Sequence, residues 1–329
     1  MSRDVDRRTV VKGAASTAMI MALLRGGSAI ASPAGSAETA SNPGTRAFSA
    51  NQTLTTLIPD RLYRIGCMVR GQRLSWLPAD IQGYEPLNAY LLTDKDNCIF
   101  VDTGSAIMLP AIKSALDIIG NRKVWVYFTR NEAETIGNLG YVLGTFENPT
   151  MLFGSAGGVL EWVNDPAVSI LEVRSFLGRI PVESARNGVS KAVGSFGFDF
   201  MEAVTKQMGM TQWAYEKSTG TMFTACSFGW RHAATADSGT VIESATDLPR
   251  VDVVAREMVA KCNWMREANF DERIVQFEQV FKDHDVQMLA PNHGSVIKGR
   301  EAVSAHVKHA VRAMHAASKL PDTERLRYA

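Results

Sequence analysis

A short apolar run, Val124-Trp125-Val126-Tyr127-Phe128, passes directly into Thr129-Arg130-Asn131-Glu132-Ala133-Glu134-Thr135, and Ile136-Gly137-Asn138-Leu139-Gly140 follows. The apolar residues read as a short buried strand, and Asn138 to Leu143 reads as the helix after it. A strand that delivers a polar loop to the start of a helix is a unit of layered α/β folds, and loops so placed carry function. Arg130, Glu132 and Glu134 are therefore the first side chains to explain.

The pattern around this unit is of the same kind. Leu87 to Leu92 and Asn97 to Asp102 are apolar runs split by Thr93-Asp94-Lys95-Asp96, which predicts a β-hairpin ending at Asp102-Thr103-Gly104. Pro110 to Ile119 has helical periodicity, stopped by Gly120-Asn121. Met151 to Phe153 reads as a strand, and Trp213 to Tyr215 with Thr221 to Ala225 as a second hairpin-like pair. Val251 to Ala268, Phe270 to Lys282 and Glu301 to Lys319 have helical patterns, and Gln287 to Ala290 is a strand leading into Pro291-Asn292-His293-Gly294. Residues 157–206 give no clear pattern. The succession predicts an α/β sandwich.

The chain has 329 residues, 46% hydrophobic and 21% charged, enough to bury a full core in one large domain or two small ones. A net charge of +1 offers no basic field for nucleic acid, and no apolar run is as long as a membrane-spanning helix. The first residues read differently from the rest. Asp6-Arg7-Arg8-Thr9-Val10-Val11-Lys12 resembles a twin-arginine export motif; an apolar stretch from Ala14 to Leu24 follows, then Ala29-Ile30-Ala31, a small-x-small cleavage site. The alternative is a helical tail with two chance arginines, but the three parts occur in the order export requires. Residues 1–31 are thus expected to be a signal peptide, 32–50 a flexible Ser/Ala/Gly-rich linker, and 51–329 the exported domain, delivered to the periplasm. The leader carries five Lys or Arg and two Asp, a net of +3, so the remainder carries −2. Cys67, Cys98, Cys226 and Cys262 match no zinc or redox spacing.

Four segments, in order, resemble the metallo-β-lactamase fold superfamily, and within it the oxygen-binding di-iron branch that includes flavodiiron proteins. They are Asn88 to Leu92 with Phe100 to Gly104; the loop from Phe128 to Gly140; Met222 to Gly229; and Leu289 to Gly294. The match covers roughly residues 55–300. It implies a four-layer αββα sandwich of two mixed sheets with ligand-bearing loops at one edge. It also implies that most metal ligands are replaced. The family reads His-x-His/Glu-x-Asp-His where this chain has Arg130, Glu132, Glu134 and Thr135. Cys226 stands at the metal-bridging Asp, His293 at the last His, and Gln207 or a neighbour at the mid-chain His. Asp102 matches a structural carboxylate that ties down backbone amides. No flavodoxin-like segment follows the match, and flavin is not expected.

By this resemblance Glu132, Glu134 and His293 remain as vestigial metal ligands, too few for either half-site to hold a transition metal tightly. No cofactor is expected, with residual zinc or iron as the exception. Arg130 is expected to turn inward onto Glu132 or Glu134, since two unpaired buried carboxylates are costly; the alternative is that it swings out to solvent. Cys226, His293 and Glu134 make a candidate nucleophile, base and orienting acid, weighed against the plainer reading of a small buried Cys and a His bonded to a carboxylate. Arg130, Glu132, Thr135, Gln207 and Trp230 are the candidate binding residues, with Trp230 and His232 at the pocket mouth. Trp125 and Trp162 are read as packing. His306 and His309 share the last helix with Lys308, Arg312 and Lys319 and are read as a solvated face rather than a metal site. Three functions remain, in this order: a metal-poor protein binding a small molecule or partner in the old cleft, a hydrolase using a residual metal or Cys226 and His293, and a working di-iron protein. A homodimer is left open.

Overall fold

The computed structural model describes residues 53–71, 83–154, 181–207, 210–230, 233–266 and 270–320. Its strands form two seven-stranded mixed sheets. In the first, β1 (Thr53–Ile58), β2 (Leu62–Arg70), β3 (Tyr84–Thr93) and β4 (Asn97–Val101) form an antiparallel meander. Strands β5 (Lys123–Tyr127), β6 (Thr150–Phe153) and β7 (Val182–Ser184) then add in parallel. The second sheet starts as another meander of β8 (Ser190–Val193), β9 (Phe196–Glu202), β10 (Gln212–Glu216) and β11 (Thr221–Ala225). Beyond β11 lie β13 (Met288–Pro291), parallel to it, then β14 (Val296–Lys298) and β12 (Val241–Ile242).

Parallel neighbours need a crossover, and helices supply it. Two short helices, α1 (Leu109–Ser114) and α2 (Leu116–Ile119), join β4 to β5. Helices α3 (Ala133–Ile136) and α4 (Leu139–Thr145) lie between β5 and β6; α5 (Val251–Lys261) and α6 (Phe270–Asp283) precede β13; α7 (Arg300–Ala317) closes the order.

The strands explain why the apolar runs show no alternation. In β4, Cys98 and Phe100 pack into the core under α1 and α4, while Ile99 and Val101 point into the core between the sheets. In β5, Val124 and Val126 take the first side, and Trp125 and Tyr127 the second. Trp213, Tyr215 and Met222 face the core built with α5, α6 and α7, whereas Ala214 and Phe223 face inward. A strand covered on both faces reads as a continuous hydrophobic run because each parity has a core of its own. Three cores and four layers follow, an αββα sandwich.

Several expectations are corrected. The expected helix from Pro110 to Ile119 is broken at Ala115, and the expected helix from Val251 to Ala268 ends at Lys261, where Cys262 leaves helical geometry at φ −115 and ψ 67. Strands β1, β2, β7, β8, β9, β12 and β14 were not among the expected elements, although in β9 Phe196, Phe198 and Phe200 alternate with Gly197 and Asp199. His306 and His309 are buried rather than solvated. Their side of α7 also carries Ala302, Ala310 and Ala313, so the helix packs closely and its basic residues occupy the other side. No helix among the described residues is long and apolar enough to cross a membrane. The expected signal peptide, the linker, Trp162 and His232 lie outside the described residues.

Candidate functional site

Four strand ends meet where β4, β5, β11 and β13 finish. Asp102 follows β4 with φ 60, a left-handed geometry that Asp tolerates better than most residues. Its carboxylate accepts the Thr129 amide and the Thr129 hydroxyl, both at 2.8 Å, and so holds the turn after β5. Complete burial pushes Asp102 up to about 7, against the pull of the Thr129 hydrogen bonds and of Arg130. The Thr129 carbonyl takes the Gln212 amide at 2.8 Å, and the Asn292 carbonyl takes the Asn88 amide at 2.7 Å, which ties the two sheets together at this edge. Gly137 lets the loop close over the Asp102 turn: a Cβ there would sit 2.5 Å from the Ala106 nitrogen and 2.9 Å from the Gly104 carbonyl.

With Thr129 so held, Arg130 projects into the site and is fully buried. Its Nη1 lies 3.0 Å from Glu132 Oε2 and its Nη2 pairs with Glu134 Oε1. Nη1 also donates to Gln207 Oε1 at 2.8 Å. Glu132 and Glu134 keep 20% and 12% of their side-chain surface exposed, so the carboxylates form the outer part of the group. A planar guanidinium with five fixed donors can serve three acceptors at once, which an ammonium would do less well.

Cys226 follows Ala225, which takes φ 51 at the end of β11, and the Ala225 carbonyl accepts the Asn292 amide at 2.8 Å. Its thiol is buried. The neighbouring Cys262 thiol first, then Arg130, the Gln207 amide and Lys261, bring Cys226 below the ordinary thiol range despite burial. Cys262 is pushed well up by the Cys226 thiol and by burial.

His293 lies beside a second charged group. Its Nδ1 is 2.9 Å from Glu85 Oε1 and 3.4 Å from Lys261 Nζ. Lys261 Nζ donates to the Gly229 carbonyl at 3.0 Å and stands 3.9 Å from Glu85 and 3.7 Å from Glu257. Gly229 is needed here because a Cβ would fall 2.4 Å from His293 Nδ1. Burial first, and the Lys261 ammonium second, push His293 down to about 3, so the ring is neutral at pH 7. Lys261, Glu85, Glu257 and Cys262 were not picked out in the sequence. One signal was available: Glu257 and Lys261 are a charged i,i+4 pair on the same side of α5 as buried Val254 and Met258.

The structure thus gathers Arg130, Glu132, Glu134 and Gln207 around one guanidinium. It sends the candidate triad to separate partners: Cys226 to Cys262, His293 to Glu85 and Glu134 to Arg130. Two further candidate binding residues have structural contacts. Thr135 is the N3 residue of a capping box on Glu132: its hydroxyl donates to the Arg130 carbonyl at 2.8 Å and accepts the Glu132 amide at 3.2 Å. Trp230 packs in the core under α5 and α6, with its ring 5.1 Å from Phe228, rather than at a pocket mouth. The donor set does not fit a dinuclear metal centre. A fixed cation sits between the two loop carboxylates, and an incoming metal ion would meet like charge and engaged oxygens. Among the described residues no group of three or more His, Cys, Asp or Glu is arranged to hold a metal ion.

No family model matches the sequence, and neither does any curated protein. Solved structures do match. Rubredoxin oxygen:oxidoreductase from Desulfovibrio gigas superposes with a TM-score of 0.59 at 16% identity, over 80% of this chain and 62% of that one. The flavodiiron protein from Giardia intestinalis gives 0.55 at 15%, over 79% and 59%. A fragment of a putative diflavin flavoprotein from Nostoc gives 0.58 at 12%, over 82% and 97%. This chain therefore spans about three fifths of the first two proteins and nearly all of the third fragment. At such identities the likeness concerns architecture: the chain has the two-sheet α/β fold of the metallo-β-lactamase-like domain found in flavodiiron proteins.

Proposed function

We propose that this chain is an exported binding protein on the metallo-β-lactamase-like scaffold, in which an arginine–carboxylate group stands in for the metals and the old cleft receives a small molecule or a protein partner. The observation that carries this is the Arg130 guanidinium, fully buried and shared by Glu132, Glu134 and Gln207. It supplies internally the positive charge a metal would otherwise bring. The outermost groups are the two carboxylates, so a ligand rich in hydrogen-bond donors suits the rim.

Elemental analysis of the purified chain is expected to find well under one zinc or iron per molecule. Two metals per chain would restore the di-iron reading. Thermal-shift screening with donor-rich small molecules is expected to find ligands whose effect is lost in Glu132→Gln; ligands indifferent to that change would place binding elsewhere. A hydrolase acting through Cys226 and His293 is the second reading, favoured by the lowered Cys226 thiol and opposed by the separate partners of the two residues.

Export rests on Arg7-Arg8 and the apolar stretch that follows. Replacing both arginines with lysine is expected to leave the precursor in the cytoplasm, since the twin-arginine route tolerates that exchange poorly. Cell fractionation showing unchanged delivery would remove the claim.

A further inference from the structure

Four large apolar side chains are exposed among the described residues: Val182, Val189, Met210 and Val275. Two of them, Val189 and Val275, line one groove of about 680 Å³ between α6 and the outer side of β9. Scattered apolar residues on a surface need no explanation, but two on one concave wall do. Strand parity builds the floor of the groove. Phe196, Phe198 and Phe200 point into the core between the sheets, so Asp199 and Met201 point outward. Met201, Val204 and Val280 extend the apolar lining. Val275 is the anomaly in α6. The helix buries Phe270, Ile274 and Phe277, and its exposed positions are polar except Val275, which is 66% exposed.

One end of the groove is polar. Asp199 Oδ1 takes the Lys217 ammonium at 2.8 Å and the Ser190 hydroxyl. His284 stands opposite, its ring oriented twice over: Nδ1 lies 2.8 Å from the Val280 carbonyl, and the ring packs edge-on against Tyr215 with centroids 4.8 Å apart. A carbonyl only accepts, so Nδ1 carries the hydrogen and Nε2 of the neutral ring presents a lone pair. That lone pair is 3.8 Å from Asp199 Oδ2, another acceptor. Two acceptors so placed are bridged by one nitrogen with at least two N–H groups. The charge balance asks for the same group. Asp199 and Asp283 stand against the single Lys217 ammonium, and the C-terminal end of α6 adds partial negative charge. We infer that this groove binds a small primary amine with an apolar body. Its ammonium bridges Asp199 and His284, and its body lies along Val189, Val275 and Val280. The volume is that of a small-molecule site. None of these residues belongs to the Arg130 group, so the inference does not rest on what the cleft binds.

The test is isothermal titration calorimetry of the full chain with n-butylamine, n-hexylamine and n-octylamine. A pH of about 8 keeps an ordinary His neutral and a primary amine charged. Saturable binding at one site is expected, tightening up to about fourfold per added methylene until the groove is full. n-Hexanol and hexanoate should bind at least about tenfold more weakly than n-hexylamine, since neither offers a charged donor. Asp199→Asn should weaken n-hexylamine about 10- to 100-fold. Val275→Arg places a cation and a long side chain in the groove from an exposed helix position, so it should abolish binding and leave the denaturation midpoint unchanged. Absence of amine binding would overturn the inference. So would equal affinity for n-hexanol and n-hexylamine, or binding indifferent to both substitutions. Binding lost in Glu132→Gln and kept in Asp199→Asn would place the amine in the cleft after β5 and overturn the groove assignment.

Discussion

Arg130→Ala is expected to lower unfolding free energy by about 3–5 kcal/mol, toward the lower figure because Glu132 and Glu134 keep some solvent. In a protein of this size that moves the melting temperature by roughly 5 °C. The loss arises from what is left behind. Two carboxylates at the end of β5 would face each other without a cation, and the Gln207 side chain would lose its donor. Arg130→Lys should recover only part, since one ammonium cannot reproduce a fork that reaches three acceptors. Adding Glu134→Gln to Arg130→Ala should also recover part, by removing one stranded charge. Denaturant melts of the four proteins decide it. Equal midpoints for Arg130→Ala and the parent would mean that the guanidinium contributes nothing, and the case for a metal substitute would fall with it.

The second large effect is expected at Lys261. Lys261→Met keeps the length of the stem and deletes the ammonium set between Glu85 and Glu257, which are buried to within 1%. The cost is again about 3–5 kcal/mol, here nearer the upper figure because water screens less. A pH signature separates this from lost packing. In the parent, His293 is depressed from 6.5 to about 3, so between those values the unfolded chain binds more protons and stability climbs as pH rises. Without the Lys261 ammonium, His293 can protonate against Glu85. Burial still holds the ring below its ordinary value, but the low-pH penalty that the neutral ring imposes on the parent becomes smaller. The deficit of Lys261→Met should therefore shrink toward pH 4, while a packing defect would be constant. A parallel pair of stability–pH curves would rule out the electrostatic account.

The residues at the site differ in how far they were legible. Asp102, Arg130, Glu132, Glu134, Cys226 and His293 each sit beside an apolar strand, so their positions in the sequence mark the ends where β4, β5, β11 and β13 stop. Gln207 could be placed only by counting from those marks. Glu85 and Cys262 could not be placed at all, and Lys261 was marked only by its i,i+4 spacing from Glu257. Glu85 meets His293 across 208 positions, and no local pattern encodes which strand ends will be neighbours. Trp230 shows the opposite failure: a large aromatic near a site reads as a pocket wall, but the aromatic group of Trp213, Phe228, Phe277 and Phe281 draws it into the core.

From the sequence alone came the layered α/β class and the loop after β5, because burial periodicity is a local property of the chain, while the replacement of metal ligands was what the resemblance to the metallo-β-lactamase fold implied. Only the tertiary structure decided the pairings: Arg130 with both carboxylates, Cys226 with Cys262, His293 with Glu85. Hydrogen bonds and ion pairs depend on distances of about 3 Å, and those are set when two sheets and their helices pack, not by spacing along the chain.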